Sequence, residues 1–226
     1  MDKHHLAIAI DGPSGAGKST IARRLAAELH FIYVDTGALY RAVGYSVLRE
    51  GIHPGDAAAV EAFLPGLQVI LRYVEGQQRV FVGDEDVSDY IRTPEVSMAA
   101  SAVSALPAVR RFLLQMQRDM AASGNVIMDG RDIGTVVLPE AGLKIFLTAS
   151  PEERAHRRYL ELREKGVDTT PEAVLKDMRK RDHDDSSREA APLKAADDAV
   201  LVDSTALTLE EVVNRLKELA KERIGI

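Results

Sequence analysis

The feature that most constrains this chain is a glycine-rich segment that joins an apolar run to an amphipathic one. Residues 12–19 have the pattern G-x-x-x-x-G-K-S and directly follow the apolar run 6–10. A glycine-rich backbone can curl so that successive N–H groups point at one anion, and a helix that begins there adds its positive pole. An ordinary glycine turn would not explain a lysine and a serine at the helix start. The pattern therefore predicts a P-loop that binds nucleotide phosphates.

The side chains of this loop have separate expected roles. Lys18 adds a point charge for the β- and γ-phosphates, and the Ser19 hydroxyl is the expected ligand of Mg²⁺. As a lysine of an exposed loop, Lys18 is expected to contribute little to stability. The expected ATP-binding residues are Gly12, Pro13, Ser14, Gly15, Ala16, Gly17, Lys18, Ser19 and Thr20.

Composition excludes several classes of protein. The chain has 226 residues and is 46% hydrophobic, which suits one domain with insertions or at most two. It has no cysteine, which excludes disulfides and thiolate metal sites and agrees with a reducing cytoplasm. No run approaches the roughly 20 apolar residues that span a membrane. The net charge of −6 argues against binding to a nucleic-acid backbone. We therefore expect a cytoplasmic protein, neither exported nor membrane-bound, with a small anionic ligand.

Short apolar runs alternate with helical segments along the chain. The runs cover residues 6–10, 31–34, 126–128, 143–147 and 199–202. This alternation predicts an α/β fold in which a parallel sheet lies between helices. Helices are expected to begin after Ser150 and after Thr208, where Glu153 and Glu211 complete two capping boxes.

One region that departs from this pattern is β-rich. Residues 68–90 predict an antiparallel hairpin with strands at 69–74 and 79–82, joined by a polar turn at 75–78. We interpret it as a small inserted subdomain.

A second departure is crowded with charges of both signs. Residues 154–188 predict a helical hairpin around Gly166 and the turn-prone segment 169–171. For most of its arginines a solvated face is expected. In an enzyme that handles polyphosphates, the same composition describes a mobile flap that supplies arginines.

A P-loop alone does not distinguish kinases from nucleotide switches or motors. The polar segments that follow other strands are therefore needed to decide between these classes. The second strand runs into the polar turn 35–41, and the third ends in Asp-Gly-Arg-Asp at 129–132. Ligands of open α/β sheets bind at these carboxyl ends of strands. Arginines also bracket an acidic patch at 181–188.

These segments resemble bacterial cytidylate kinases, and the resemblance covers essentially the whole chain. It rests on Asp-Gly-Pro-Ser-Gly-Ala-Gly-Lys-Ser at 11–19, Asp-Thr-Gly-Ala-Leu-Tyr-Arg at 35–41, Ile-Arg-Thr-Pro-Glu-Val at 91–96, Asp-Gly-Arg-Asp-Ile-Gly-Thr-Val-Val at 129–137 and Lys-Ile-Phe-Leu-Thr-Ala-Ser-Pro-Glu-Glu-Arg-Ala at 144–155. It implies a single P-loop NTPase domain over residues 1–226. That domain would have a parallel core flanked by helices, an antiparallel substrate-binding insert at about 38–100 and a helical lid at about 152–187.

The resemblance also implies roles for individual residues. Around the cytosine, Asp132 would accept from the exocyclic amine and Arg110 would donate to the carbonyl side, which discriminates C from U. Arg181 and Asp185 would face the ribose hydroxyls. Arg41, Arg131 and Arg188 would grip the phosphate, since a guanidinium fork binds phosphate bidentately. The residues expected to bind CMP are Thr36, Tyr40, Arg41, Ser101, Arg110, Asp129, Arg131, Asp132, Arg181, Asp185 and Arg188, and those expected to be catalytic are Lys18, Arg131, Arg158 and Arg188.

The expected protein is a monomeric kinase that moves the γ-phosphoryl group of ATP to CMP, and also dCMP, with Mg²⁺. Two alternatives stay open: a P-loop kinase for AMP, UMP or a polyol such as shikimate, and a nucleotide-dependent switch, although the N-K-x-D guanine motif is absent. Asp129 and Asp35 are both candidates to orient magnesium-bound water. Tyr40 could equally be a core residue, and Asp35 could equally be a helix N-cap. One of the adjoining Arg110 and Arg111 is expected to be solvated.

Overall fold

A computed structural model describes residues 5–226, which divide into two compact units. The first unit consists of the described residues up to Tyr33 together with Ala121–Ile226, and the second is Val34–Met120. The strands are β1 (Ala7–Asp11), β2 (Ile32–Asp35), β3 (Val69–Val74), β4 (Gln77–Val82), β5 (Glu85–Asp86), β6 (Val126–Gly130), β7 (Leu143–Thr148) and β8 (Val200–Asp203). The helices are α1 (Lys18–Leu29), α2 (Thr36–Arg49), α3 (Ala57–Phe63), α4 (Pro94–Ser104), α5 (Pro107–Ala122), α6 (Pro151–Glu164), α7 (Pro171–Ser187) and α8 (Leu209–Ile224).

A five-stranded sheet in the order β2-β6-β1-β7-β8 forms the centre of the fold. β1 pairs in parallel with β6 and β7, and β7 pairs in parallel with β8. The five apolar runs of the sequence each form one of these strands, with bounds that agree within two residues. The predicted parallel α/β architecture is therefore confirmed.

The register of this sheet brings two functional segments to one edge. Asp11, the last residue of β1, lies opposite Gly130, the last residue of β6. The P-loop and the Asp-Gly-Arg-Asp segment therefore leave the sheet side by side.

Helices α1 and α8 cover the sheet of the first unit with apolar side chains. Ile21 and Leu25 of α1 and Leu216 of α8 are buried in one cluster with the strand residues Ile8 and Ile145. Because Leu216 is fully buried, truncating it to alanine would cost about 2–5 kcal/mol. α8 begins with the predicted capping box, in which Thr208 and Glu211 satisfy each other's backbone N–H groups.

The second unit contains the predicted antiparallel sheet, in the order β3-β4-β5. The turn between β3 and β4 is shorter than predicted, because Glu75 and Gly76 alone form it, with φ of 51° and 77°. Two residues with positive φ match the twist of a hairpin, so pairing continues to Gln77. A core that includes Leu39, Val80 and Leu113 joins the sheet to its helices.

The charged segment forms the predicted helical hairpin from α6 and α7, with Gly166 at φ +72° between them. The predicted capping box at Ser150 is wrong in one half. The Ser150 hydroxyl accepts from the Glu153 N–H, but the Ser150 N–H donates to Thr205 and the Glu153 carboxylate accepts from Arg157. A tertiary contact has replaced the local one.

Among the helices of residues 5–226, none is long and apolar enough to cross a membrane.

Candidate active site

The P-loop begins where β1 ends, and close neighbours leave no room for side chains on two of its glycines. A Cβ at Gly12, where φ is +148°, would overlap the carbonyl oxygen of Leu147 on β7. A Cβ at Gly15, where φ is +75°, would lie 2.9 Å from the Met178 Cε and 3.2 Å from the Arg154 Cβ. The loop is therefore bare backbone at both points, as a phosphate-binding loop requires.

The loop ends in the first turn of α1, which begins without a side-chain cap. Side chains cap the first turns of six other helices: Asp35, Asp56, Thr93, Ser150, Thr170 and Thr208. The N–H groups of the first turn of α1 are left to the loop and its ligand, and the helix dipole adds positive potential there. Ser19 and the exposed Thr20 lie in this turn.

Lys18 is buried, with 6% of its surface exposed, and its Nζ donates to the Pro13 carbonyl at 2.7 Å. Burial and the nearby charge of Arg131 hold the pKa of Lys18 well below its ordinary value, against the pull of Asp129. The expectation of an exposed lysine is therefore wrong, because the loop folds around its ammonium group.

Asp129 at the end of β6 connects the P-loop to β2. The Ser19 Oγ donates to the Asp129 Oδ2 at 2.8 Å, and the Tyr33 hydroxyl donates to the Oδ1 at 2.8 Å. The carboxylate is thus held in a fixed orientation beside the serine that the P-loop pattern assigns to Mg²⁺. Of the two aspartates considered from the sequence, this contact favours Asp129.

Asp11, the residue before the loop, is a candidate site residue that the sequence analysis missed. Its buried carboxylate accepts from the backbone N–H groups of Ile133 at 2.8 Å and Gly134 at 2.7 Å, in a turn of π-helix at Ile133–Val137. Burial raises the pKa of Asp11 to about 6, against these two hydrogen bonds, and the charge of Asp132 acts in the same direction as burial. Asp11 thus holds the π-helical turn at Ile133–Val137 against the end of β1, where the P-loop begins.

Asp132 is buried where this turn of π-helix begins. Its carbonyl accepts from the Val136 and Val137 N–H groups. Its predicted contact with cytosine stays a prediction.

Arg131 belongs to a cluster that surrounds Asp185 of α7. The Arg131 Nε donates to the Asp185 carboxylate at 2.9 Å, and the Arg188 Nη1 lies 3.7 Å from it. Burial acts to raise the pKa of Asp185, but Arg131, Arg181 and Arg188 outweigh it and hold that pKa below its ordinary value. Three of the predicted arginines therefore share one buried carboxylate.

Arg154, near the start of α6, is an exception to the solvated face expected for most arginines of the hairpin, since only 3% of its surface is exposed. Its guanidinium binds both oxygens of Asp182 on α7 and also donates to the Ser14 carbonyl in the P-loop. The sequence signal was weak, because Arg154 is one of many arginines in this segment. Arg158, predicted to be catalytic, donates to Glu161 of its own helix at 2.7 Å, and its catalytic role stays a prediction.

In the second unit, Asp35 organises the start of α2. Its side chain caps the helix by accepting from the Ala38 N–H at 2.9 Å, and it pairs with Arg41 at 2.7 Å and Arg92 at 3.5 Å. Burial acts to raise the pKa of Asp35, but the two arginines hold it below its ordinary value. The Arg41 Nε is buried and has no hydrogen-bond acceptor in the described part of the chain. A buried donor of this kind is suited to a ligand oxygen. Thr36, the residue after Asp35, is buried in the first turn of α2.

Also in the second unit, the Arg110 guanidinium lies over the Tyr40 ring, 5.6 Å from its centroid, and donates to the Ser104 carbonyl at 3.0 Å. Tyr40 packs against the core of this unit as well, so it is part core and part platform for the arginine. Arg111 is exposed, as expected for one of the adjoining pair. Ser101 is half-buried on α4, where its carbonyl accepts from the Ser104 hydroxyl.

A phosphate-binding loop at the end of a parallel strand, a buried lysine at the end of the loop and an arginine cluster around Asp185 define a P-loop kinase. The chain belongs to the cytidylate kinase family, since residues 8–222 match the family model described as Cytidylate kinase.

Curated relatives support this assignment, and a solved structure shares the fold. The chain is 53% identical over 212 residues to the cytidylate kinase of Caldicellulosiruptor bescii, covering 94% of each chain. It is 49% identical over 218 residues to that of Geobacter sulfurreducens, covering 96% of this chain and 94% of the relative. A crystal structure of an uncharacterized protein from Eubacterium ventriosum aligns with a TM-score of 0.50 at 13% identity, covering 97% of this chain and 99% of that one. The last comparison shows the fold alone.

Proposed function

We propose that this chain transfers the γ-phosphoryl group of ATP to CMP, and to dCMP, giving the nucleoside diphosphate and ADP. One observation carries the proposal: Ser19 of the P-loop donates to Asp129 at 2.8 Å, and Asp129 lies two residues before Arg131. Two kinds of phosphate-binding group therefore converge in one unit. Convergence of this kind suits transfer between two phosphates, and the family of the chain favours CMP as acceptor.

In this proposal the chain acts by positioning and electrostatics. Lys18 and the first turn of α1 hold the donor phosphates, while Arg131, Arg188 and Arg158 offset charge that develops on the transferring group. An oxygen of the acceptor phosphate attacks in line, so no covalent nucleophile on the protein is needed. Closure of the α6–α7 hairpin would exclude water as a competing acceptor.

The residues around the P-loop suit Mg²⁺. The Ser19 hydroxyl and the Asp129 carboxylate are oxygen donors 2.8 Å apart, and Mg²⁺ typically takes one or two protein oxygens while substrate phosphates and waters complete its shell. Among residues 5–226, no group of three or more His, Asp or Glu side chains could hold a metal ion. We propose that Ser19 binds it directly and that Asp129 orients its waters. The ion would neutralise phosphate charge.

For the acceptor, we propose the residues that the resemblance implies. Ser101, Arg110 and Asp132 would bind cytosine, and Arg181 and Asp185 would bind the ribose. Arg41, Arg131 and Arg188 would hold the phosphate, with Thr36, Tyr40 and Asp129 also assigned to CMP. The buried Nε of Arg41 supports its assignment.

A panel of acceptors in an ADP-coupled assay tests the proposal. We expect kcat/KM for CMP and dCMP to exceed that for UMP, AMP and shikimate. An Asp132→Asn substitution should lower kcat/KM for CMP about tenfold to a hundredfold relative to UMP, because it removes a charge-assisted acceptor worth roughly 1.5–3 kcal/mol. If Asp132 only orients Arg131, both acceptors lose equally, and its role in base reading is rejected.

The same assay distinguishes a kinase from a nucleotide switch. A switch hydrolyses its bound nucleotide slowly on its own, whereas this chain should release ADP only when an acceptor is present. ADP release that no acceptor accelerates would reject the kinase proposal.

We further propose that the chain is a cytoplasmic monomer, that residues 1–226 act as one cytidylate-kinase-like domain, and that it binds neither nucleic acid nor membrane. The absence of cysteine supports the cytoplasmic location, and the net charge of −6 argues against binding to nucleic acid. The first four residues of the proposed domain, 1–226, lie outside the described part of the chain.

A further inference from the structure

The buried arginine of the α6–α7 hairpin makes four hydrogen bonds that join three segments of the first unit. The Arg154 Nε donates to the Ala149 carbonyl at 2.9 Å, and its Nη1 donates to the Ser14 carbonyl of the P-loop at 2.9 Å. Nη1 and Nη2 also grip the Asp182 carboxylate on α7, at 3.0 and 2.6 Å. A planar guanidinium fixes the relative directions of its donors, so the P-loop carbonyl and the α7 carboxylate are held in one geometry.

Packing makes the same connection independently of these hydrogen bonds. A Cβ added at Gly15 would lie 2.9 Å from the Met178 Cε of α7 and 3.2 Å from the Arg154 Cβ of α6. The backbone of the P-loop therefore rests directly on both helices, and a change in the loop's position must be felt by the hairpin.

Helix α7, which Arg154 binds through Asp182, also carries Asp185, the centre of the arginine cluster proposed to hold the acceptor phosphate. Asp182 lies three residues before Asp185, on neighbouring turns of α7. Asp185 in turn binds Arg131 at 2.9 Å and lies 3.7 Å from Arg188. The chain of contacts runs from the P-loop through Arg154 and Asp182 to these arginines.

We propose that Arg154 and Asp182 are positioning residues that couple nucleotide in the P-loop to binding of the acceptor. This inference rests on the proposed function, because it assumes that the groups around Asp185 hold the acceptor phosphate. A nucleotide that restricts the position of the Ser14 carbonyl also restricts the Arg154 guanidinium bonded to it. The guanidinium in turn restricts the Asp182 carboxylate. Donor binding therefore raises the affinity for acceptor, and reciprocally acceptor binding raises the affinity for donor.

A second ion pair between the same helices provides a matched control. Arg179 of α7 and Glu152 of α6 pair at 2.7 Å, but both side chains are largely exposed. If Arg154 only held the hairpin together, loss of either pair would change acceptor binding in the same manner. If Arg154 carries the coupling, only the buried pair matters.

The test is the affinity for CMP, measured by calorimetry with and without a saturating non-hydrolysable ATP analogue. We expect the analogue to tighten CMP binding at least about fivefold in the wild type and in Glu152→Gln, since coupling between sites is typically about 5- to 150-fold. In Asp182→Asn and Arg154→Lys that factor should fall to within about twofold of one. Affinity for the analogue alone should stay within about threefold of wild type in Asp182→Asn, where Arg154 keeps its bond to Ser14.

Three outcomes would overturn the inference: full coupling in Asp182→Asn, equal loss of coupling in Glu152→Gln, or no coupling in the wild type. Thermal unfolding identifies any variant that does not fold, and Asp182→Glu, which keeps the charge but displaces the carboxylate, then replaces Asp182→Asn. Failure of the proposed function is recognised separately, because the wild type would then not phosphorylate CMP.

Discussion

The buried carboxyl group of Asp11 gives stability an unusual pH dependence. Its pKa rises from 3.8 in the unfolded chain to about 6 in the folded protein, so the folded state binds a proton more tightly. The contribution of Asp11 to stability is therefore complete below pH 4 and is lost as the pH rises towards 6. A pKa rise of about two units, at about 1.4 kcal/mol for each unit, corresponds to about 3 kcal/mol of stability.

Asp11→Asn isolates this effect, because an amide does not titrate. The amide can accept from only one of the Ile133 and Gly134 N–H groups, which gives a penalty that does not depend on pH. Added to that constant, the free energy of unfolding of the variant relative to wild type should rise by about 2.5 kcal/mol between pH 4 and pH 7. Titrating groups that do not interact with Asp11 behave alike in both proteins.

Urea unfolding at half-unit steps from pH 4 to pH 7.5 measures this difference. Asp203, the last residue of β8, is a matched control: it also ends a strand of the sheet, but bonds from Thr205 lower its pKa. Its contribution is lost only as the pH falls below about 4, so the difference between wild type and Asp203→Asn should stay flat over this range. A difference for Asp11→Asn that is also flat would refute the assignment of a raised pKa.

Two further predictions follow from buried groups. Lys18→Met should lower kcat at least about a hundredfold without lowering the free energy of unfolding measured in the absence of nucleotide, since it removes a buried ammonium that is disfavoured there; retention of most of kcat would refute the P-loop assignment. Gly44→Ala should destabilise the protein by about 1–3 kcal/mol in urea unfolding, because its Cβ would lie 2.8 Å from the Ala100 N on α4. Gly66→Ala, which meets nothing within 4 Å, should stay within about 0.5 kcal/mol of wild type, and equal stability of both variants would contradict the packing argument.

The fold could be predicted from the sequence wherever one local pattern decided an element. Short apolar runs predicted the parallel strands, and Thr208 with Glu211 three residues later predicted the cap of α8. The errors lie where a distant partner competes with a local one. At Ser150 the backbone N–H bonds to Thr205, 55 residues away, so the local capping box is not completed.

The candidate site was predictable where a motif fixed the backbone, and less so where burial decided the role of a charge. The glycines at 12 and 15 were evident because few residues other than glycine tolerate their conformation. Arg154 could not be distinguished from its solvated neighbours, because its two carbonyl partners and Asp182 meet only after α6 and α7 pack on the loop. Asp11 was visible in the motif, but its partners are backbone N–H groups more than 120 residues away.

Two arginine–carboxylate pairs share a design that bears on how phosphate would be bound: Arg131 with Asp185 and, within the second unit, Arg41 with Asp35. A free arginine side chain carries about 2 kcal/mol of rotamer entropy, which a phosphate would have to overcome to order it. Each carboxylate removes that penalty in advance by fixing the guanidinium, and a guanidinium with five N–H groups can still offer donors to a second anion. The carboxylate also cancels much of the arginine's charge, so attraction to anions in general is weak. Binding of the proposed phosphate would then depend on the directions of the remaining donors more than on the overall charge of the protein.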